Sequence, residues 1–224
     1  RMNSDGTFSD GSGCGNDTAS EHKMFRKFMI DSITYWASEY HIDGFRFDLM
    51  GLHDCDTMNQ IRYALDEINP QILMYGEAWD LKTACDDGTV LATQANMDKL
   101  DSRIGAFDDT VRDAIKGNTF DATDKGFLAS GKKTGNIKIG LSGECVNGWA
   151  SAPTQSVVYS SCHDNYTLYD KLVSSLYPDE KDFRKRHANL VEMTKLNAAT
   201  IFSAQGMTFF LAGEEFCRSK DGDE

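Results

Sequence analysis

Two charged side chains, Arg46 and Asp48, lie two residues apart in the short apolar run at residues 42–51. Successive side chains of a β-strand point to opposite faces, so Arg46 and Asp48 share one face of the predicted strand. A neighbouring arginine favours the ionised form of an aspartate, which suits a carboxylate nucleophile that must be charged near neutral pH. The same spacing also fits a structural ion pair at a strand end.

Two further acids, Glu77 and Asp164, also come just after apolar runs. The carboxyl ends of parallel strands meet at one mouth of a (β/α) barrel, which would bring these acids and Asp48 to the same face. No Gly-x-Gly-x-x-Gly motif opens a helix, and this weakens the alternative of a doubly wound dinucleotide-binding sheet. The sequence therefore predicts an α/β fold with a TIM-type barrel topology.

The elements that must position these acids alternate between helices and strands. A capping-box pattern at residues 18–21 precedes an apolar stripe that predicts a long helix ending near Tyr40. Its members recur every three or four positions: Phe25, Met29, Ile33, Trp36 and Tyr40. Further helices are predicted at 54–69 and 183–205, and strands at 44–49, 72–77, 105–107, 156–159 and 207–211. Residues 120–154 show no clear period and are interpreted as a loop-rich excursion.

The composition of the 224-residue chain excludes several classes of protein. A formal net charge of −12 argues against a nucleic-acid partner, which needs clustered Lys and Arg. No stretch approaches the roughly 20 apolar residues of a membrane span, so no membrane partner is expected. The six cysteines form no Cys-x-x-Cys pair and are predicted to be free thiols rather than zinc ligands. No targeting segment is recognisable, and the compartment, cytoplasmic or secreted, stays open.

Three segments resemble, in order, sequence regions of the α-amylase superfamily of glycoside hydrolases. They read Phe-Arg-Phe-Asp at 45–48, Tyr-Gly-Glu-Ala-Trp-Asp at 75–80 and Cys-His-Asp-Asn at 162–165. Their flanks at 13–21, 40–51 and 161–165 resemble the type I pullulanases, which debranch starch, and the likeness spans nearly the whole chain. It implies a retaining hydrolase acting on α-1,6-glucosidic bonds in pullulan, amylopectin and limit dextrins.

The resemblance also assigns the acids. It implies that Asp48 is the nucleophile, that Glu77 is the general acid and then the base, and that Asp164 holds sugar hydroxyls near the reacting ring. A retaining pair has carboxyl groups about 5–5.5 Å apart, which is the separation expected for Asp48 and Glu77. Tyr75 and Trp79 are expected to give Glu77 surroundings of low polarity, since this residue must start protonated.

Three further residues are expected to contact the substrate. Arg46 lies beside the nucleophile, and the resemblance implies that His163 is a sugar ligand at the point of cleavage. Trp79 is interpreted either as a sugar-stacking residue or as packing in the barrel rim. No metal or other cofactor is expected; calcium occurs in some members of the superfamily, but no acids here are spaced as a calcium loop.

The superfamily's first region would precede Arg1, so we expect residues 1–224 to be a partial catalytic domain containing about the last five of eight barrel strands. Alone, this fragment is expected to be inactive. Two alternatives remain open. One is a related α-glucan hydrolase of the amylase, isoamylase or neopullulanase type, and the other is a non-catalytic α-glucan-binding relative, against which the three acids argue.

Overall fold

The computed structural model describes residues 1–223, which form two compact units. The first unit comprises Arg1–Phe107 and Trp149–Gln155, and the second comprises Asp108–Gly148 and the chain from Ser156 onward. The strands are β1 Gly44–Phe47, β2 Leu73–Gly76, β3 Ile104–Phe107, β4 Ser156–Val158 and β5 Met207–Thr208. The helices are α1 Lys23–Tyr40, α2 Cys55–Asp66, α3 Asp109–Lys116, α4 Phe127–Ser130, α5 Thr134–Leu141, α6 Leu168–Leu176 and α7 Ala188–Phe202.

The first unit is built on three parallel strands in the order β1, β2, β3. Phe47 of β1 is in register with Gly76 of β2, and Tyr75 of β2 with Gly105 of β3. Because a parallel pair needs a crossover, α2 connects β1 to β2 and packs against α1. The buried core between sheet and helices includes Met50, Met58, Ile61, Leu65, Met74, Met97 and Ile104.

Helix α1 ends at Tyr40, as its apolar stripe predicts, but the capping box predicted at its start is wrong. The helix begins at Lys23, and its N-cap residue makes no side-chain cap hydrogen bond. The Ser20 hydroxyl instead donates to Asp54 (2.6 Å), and Glu21 pairs with Arg1 (2.6 Å). The polar groups that suggested a local cap therefore make long-range contacts.

Helix α2 is capped by Asp54, whose carboxylate accepts the Thr57 N–H at 2.9 Å. The carboxylate is buried and also bonds Arg26, so the start of α2 is tied to α1. The helix stops at Asp66, short of the predicted residue 69. Residues 68 and 69 fold back in a turn, and their N–H groups donate to the Leu65 carbonyl.

The second unit contains the parallel pair β4 and β5, in which Val157 is in register with Met207. Its core includes Val111, Ile115, Leu168, Tyr169, Leu172, Val173, Leu190 and Ile201. The region at 120–154, expected to be loop-rich, contains α4 and α5. These short helices form because Leu128 and Ile137 are buried in the same core. Helix α7 begins at Ala188 rather than at residue 183.

All six cysteines are free thiols, as predicted. Among residues 1–223, no helix combines the length and the apolar character needed to cross a membrane.

Candidate active site

Asp48 and Glu77 lie at the carboxyl ends of two neighbouring strands. Asp48 directly follows Phe47, and Glu77 directly follows Gly76. Phe47 and Gly76 are the last register pair of β1 and β2. The ladder continues one step beyond the strands, because the Glu77 N–H donates to the Phe47 carbonyl at 3.1 Å. Parallel pairing therefore places the two acids side by side at one edge of the sheet.

Arg46 contacts both acids at once. Its Nη1 lies 2.5 Å from Asp48 Oδ1, and its Nη2 lies 2.8 Å from Glu77 Oε1. The predicted contact of Arg46 with Asp48 is confirmed, and the contact of Arg46 with Glu77 is a second one that residue spacing along one strand does not predict. The Asp48 side chain is 74% exposed, whereas that of Glu77 is 12% exposed. The nucleophile candidate thus faces solvent, and the acid candidate is recessed behind it.

The backbone after Asp48 turns sharply onto Glu77. Leu49 has φ 44°, in the left-handed region, and its N–H donates to Glu77 Oε2 at 2.9 Å. The Gly51 N–H donates to the Glu77 carbonyl at 2.8 Å. A Cβ atom on Gly51 would lie 1.9 Å from the Trp79 carbonyl oxygen, so only glycine permits this approach. The turn therefore donates hydrogen bonds to both the side chain and the backbone carbonyl of Glu77.

The low-polarity surroundings expected for Glu77 are not what the structure contains. Its two carboxylate oxygens contact a guanidinium and a backbone N–H, both of which are hydrogen-bond donors. The Tyr75 ring packs edge-on against Phe107 at 5.6 Å between centroids, and Trp79 is half-buried beside the turn. Side-chain identity suggested an apolar pocket, but the strand-end backbone and Arg46 supply polar partners.

Two further candidates, His163 and Asp164, lie in the second unit on the loop that follows β4. Both side chains are exposed, and His163 Nε2 lies 3.5 Å from Asp164 Oδ2. The next residue, Asn165, has φ 61°, so the loop turns directly after the pair. The two side chains are presented to solvent at the carboxyl end of a parallel strand.

Most of the relatives that this chain matches are pullulanases, and one is an isoamylase of Oryza sativa. No protein-family profile matches it. It is 42% identical over 223 residues to pullulanase of Bacillus subtilis, an alignment that covers 96% of this chain and 30% of the relative. It is 30% identical over 280 residues to the chloroplastic pullulanase 1 of Arabidopsis thaliana, covering 100% of this chain and 28% of the relative. The chain belongs to the pullulanase family.

Solved pullulanases also share the fold. A Paenibacillus barengoltzii pullulanase variant complexed with maltotetraose matches the whole chain with a TM-score of 0.92 and 44% identity. The type I pullulanase of Bacillus subtilis complexed with maltose matches with a TM-score of 0.89 and 39% identity. The parallel strands are therefore part of a TIM-type barrel, as predicted. The chain spans about a third of the length of these pullulanases.

Sequence alone identifies some of the candidate site residues but not all of the groups that contact them. Arg46, Asp48 and Glu77 are identified by residue type and strand position. The Leu49 N–H could not be identified this way, because a backbone donor leaves no residue signature. Gly51, three residues after Asp48, does leave a signature in the sequence, because a glycine in a turn can mark a close approach of the backbone to a neighbouring segment.

One group of possible metal ligands occurs among the described residues of this pullulanase-family chain. One side-chain ligand atom from each of Glu21, His22 and Asp86 lies within 4.8 Å of the others, and His22 and Asp86 are exposed. His22 Nε2 contacts Asp86 Oδ2 at 3.3 Å, and Glu21 is paired with Arg1. These ion pairs account for the grouping.

Proposed function

We propose that this chain carries the catalytic carboxylates of a retaining glycoside hydrolase that cleaves α-1,6-glucosidic branch linkages in pullulan, amylopectin and limit dextrins. The observation that carries the proposal is the contact of Arg46 with both Asp48 and Glu77 at adjacent strand ends. A structural ion pair needs one acid, whereas a retaining hydrolase needs two close together.

In the proposed first step, Asp48 attacks the anomeric carbon while Glu77 protonates the departing glycosidic oxygen. The bond between that carbon and oxygen breaks, leaving a glycosyl ester on Asp48. Glu77, now anionic, then takes a proton from a water molecule that displaces the sugar from the ester. The exposed Asp48 and the recessed Glu77 suit these two tasks, since the nucleophile must reach the ring.

Arg46 supplies the charge that both steps require. Before cleavage Asp48 is anionic and Glu77 is protonated; in the intermediate Glu77 is anionic and Asp48 is esterified. The pair carries one negative charge in each state, and one guanidinium that reaches both carboxylates balances it throughout. The Leu49 N–H adds a donor to Glu77 when that residue is the anionic base.

Three other residues contact substrate in this proposal. Asp164 accepts hydrogen bonds from sugar hydroxyls, and these strengthen as the ring flattens towards the oxocarbenium ion. His163 is a second sugar ligand beside it. Trp79, half-buried at the strand end, offers a ring for stacking on a sugar face. The exposure of His163 and Asp164 leaves their polar atoms open to a ligand.

The relatives support the proposed substrate class. Pullulanases complexed with maltotetraose, with maltose, and with maltohexaose and α-cyclodextrin match this chain, so an α-glucan is the proposed ligand. The chemistry itself needs two carboxylates and water, and we propose that no metal or other cofactor takes part in it. Activity that survives dialysis against EDTA supports this, and activity restored only by calcium contradicts it.

The test uses the full chain that carries this sequence, incubated with pullulan and with linear maltohexaose. We expect maltotriose from pullulan and little cleavage of the linear substrate, and NMR is expected to show that the first product has the α-anomeric configuration. Preferential cleavage of the linear chain favours an amylase-type enzyme instead. A β-anomer, or binding without hydrolysis, contradicts the proposal.

The matched variants are Glu77→Gln and Glu39→Gln. Both make the same chemical change, and Glu39 is an exposed residue on α1. We expect Glu77→Gln to lower turnover at least about 100-fold, the low end for loss of a general acid, without a change in fold measured by circular dichroism. Near-normal maltotriose release by this variant would remove Glu77 from the mechanism.

A further inference from the structure

A buried acid, Glu214, is hydrogen-bonded to the start of the loop that carries His163 and Asp164. Glu214 is 3% exposed, and its Oε1 accepts hydrogen bonds from the hydroxyls of Ser160 (3.1 Å) and Ser161. Both serines are buried at the point where the chain leaves β4 and starts the loop. A single carboxylate oxygen therefore fixes two consecutive residues, and only Cys162 separates them from the proposed sugar ligands.

Lys220 makes a second set of hydrogen bonds to the same loop, further along the chain than Ser160 and Ser161. Lys220 Nζ donates to the carbonyl oxygens of Asn165 (2.9 Å) and His163 (3.4 Å). The backbone N–H of Lys220 donates to Asp170 Oδ2 at 2.7 Å, and Asp170 is fully buried on α6. The lysine is thus itself fixed, and the loop lies between two points of attachment that both come from residues 213–220.

Burying a carboxylate is unfavourable unless its partners compensate. Burial raises the pKa of Glu214, while the hydroxyls of Ser161 and Ser160 and the charge of Lys116 act in the opposite direction. Glu215, which also acts on Glu214, adds a like charge. The hydroxyls that stabilise the Glu214 carboxylate belong to the first residues of the loop, so Glu214 fixes the position of the loop where it begins.

We propose that Glu214 and Lys220 are positioning residues that hold His163 and Asp164 in the geometry needed to bind the reacting sugar. This inference rests on the proposed function for the sugar contacts of those two residues. The segment 213–220 acts through the backbone of the loop and does not itself touch the substrate. Its effect should therefore appear in the rate of the chemical step more than in overall binding.

The test uses the full chain with Glu214→Leu, Glu214→Gln and Lys220→Met. The matched controls are Glu39→Leu and Lys27→Met, because both residues are exposed on α1, which belongs to the first unit. We expect Glu214→Leu and Lys220→Met to lower kcat on pullulan at least about tenfold, with a smaller change in KM. Glu214→Gln is expected to recover most of the rate, since its amide oxygen still accepts both hydroxyls.

Hydrogen exchange of the peptide at 160–166 separates the two proposals, because it does not depend on activity. We expect faster exchange in Glu214→Leu and Lys220→Met and unchanged exchange in both controls. A wild-type chain that fails to cleave pullulan defeats the proposed function, and the exchange data then still decide whether the segment orders the loop. If Glu214→Leu does not fold, Lys220→Met and the double variant Ser160→Ala, Ser161→Ala provide the same readout. Unchanged exchange and unchanged kcat in the folded variants overturn the inference.

Discussion

Arg46 reaches both carboxylates because a guanidinium has two terminal nitrogens in a fixed plane, and a lysine has one ammonium to share between them. We therefore expect Arg46→Lys to keep the positive charge but to lose one of the two contacts. Hydrogen bonds to charged groups contribute about 1.5–3 kcal/mol, so kcat/KM on pullulan should fall about tenfold or more. Steady-state kinetics of the full chain measures this.

Arg103 offers a matched control for that substitution. It also bridges two acids, Asp66 (2.7 Å) and Asp101 (3.0 Å), but its side chain is 41% exposed and contacts none of the proposed site residues. Arg103→Lys is expected to leave kcat/KM unchanged. Equal losses in Arg46→Lys and Arg103→Lys would mean that the kinetic effect reflects general stability rather than the carboxylate pair.

The residue types of the site could be read from sequence, whereas their contacts could not. Residue spacing predicted the pairing of Arg46 with Asp48, since it depends only on strand alternation. The contact of Arg46 with Glu77 depends on the register of β1 against β2, which no local pattern specifies. The separation of the Asp48 and Glu77 carboxyl groups stays a prediction.

At the scale of an element, the turn after β1 depends on a glycine. A methyl group on Gly51 would collide with the Trp79 carbonyl oxygen, 1.9 Å from the position of its Cβ. Overpacking costs about 1–3 kcal/mol, so Gly51→Ala should lower the free energy of unfolding by that amount. It should also lower turnover, because the Gly51 N–H holds the Glu77 carbonyl. Urea denaturation and pullulan hydrolysis measure the two effects.

Gly135→Ala is the control for this substitution. Gly135 lies in α5, and a Cβ there would meet no atom within 4 Å. Replacing a helical glycine with alanine stabilises by roughly 0.5–1 kcal/mol, so the opposite sign is expected. A neutral result for Gly51→Ala would show that the turn adapts and that its backbone contacts do not fix Glu77.

Asp17 is the centre of the loop at the start of the first unit. Its buried carboxylate accepts the N–H groups of Gly11 (2.8 Å) and Ser12 (3.0 Å) and the hydroxyls of Ser9 (3.0 Å) and Thr83 (2.5 Å). Burial by itself raises the pKa of Asp17, but the hydrogen bonds from Thr83, Gly11 and Ser12 outweigh it. The pKa consequently lies well below its ordinary value.

A lowered folded-state pKa means that the unfolded chain takes up the proton first as the pH falls. The contribution of Asp17 to stability is therefore complete above the unfolded pKa of about 3.9 and is lost progressively at lower pH. We expect Asp17→Asn to cost about 2 kcal/mol near neutral pH and less below about pH 4. Chemical denaturation across this range measures the difference, with Asp31→Asn, an exposed aspartate on α1, as the control. A cost that does not shrink in acid would contradict the assignment.

Helix and strand periods predicted most elements, but helix starts were less visible. The polar groups at 18–21 matched a local capping box, yet Ser20 bonds Asp54, a partner 34 residues away. Asp54 itself caps α2 through a short-range contact that sequence can suggest. Residues 183–187 likewise carried a helical pattern but lie outside α7, because the Tyr169 hydroxyl bonds the Lys185 carbonyl and the His187 N–H. Long-range hydrogen bonds override local propensity at these ends.

At the scale of the whole molecule, each unit has its own apolar core. The cluster around Met58, Leu65 and Met74 lies entirely in the first unit, and the cluster around Leu172 and Leu190 lies entirely in the second. Separate cores allow the two units to unfold at different temperatures, and such chains depart from two-state behaviour. Cooperative unfolding of both units would therefore require a further structural element in which both take part.

A closed TIM-type barrel supplies such an element as a continuous ring of eight strands, and the described residues contribute five. Among residues 1–223, the outer edge of β1 has no strand partner, which favours aggregation over a stable monomer. We therefore expect residues 1–224 expressed alone to release no reducing sugar from pullulan and to melt without a single cooperative transition. Differential scanning calorimetry is expected to give a calorimetric enthalpy larger than the van't Hoff enthalpy. A monomer with one sharp transition, equal enthalpies and measurable hydrolysis would show that five strands suffice for a working unit.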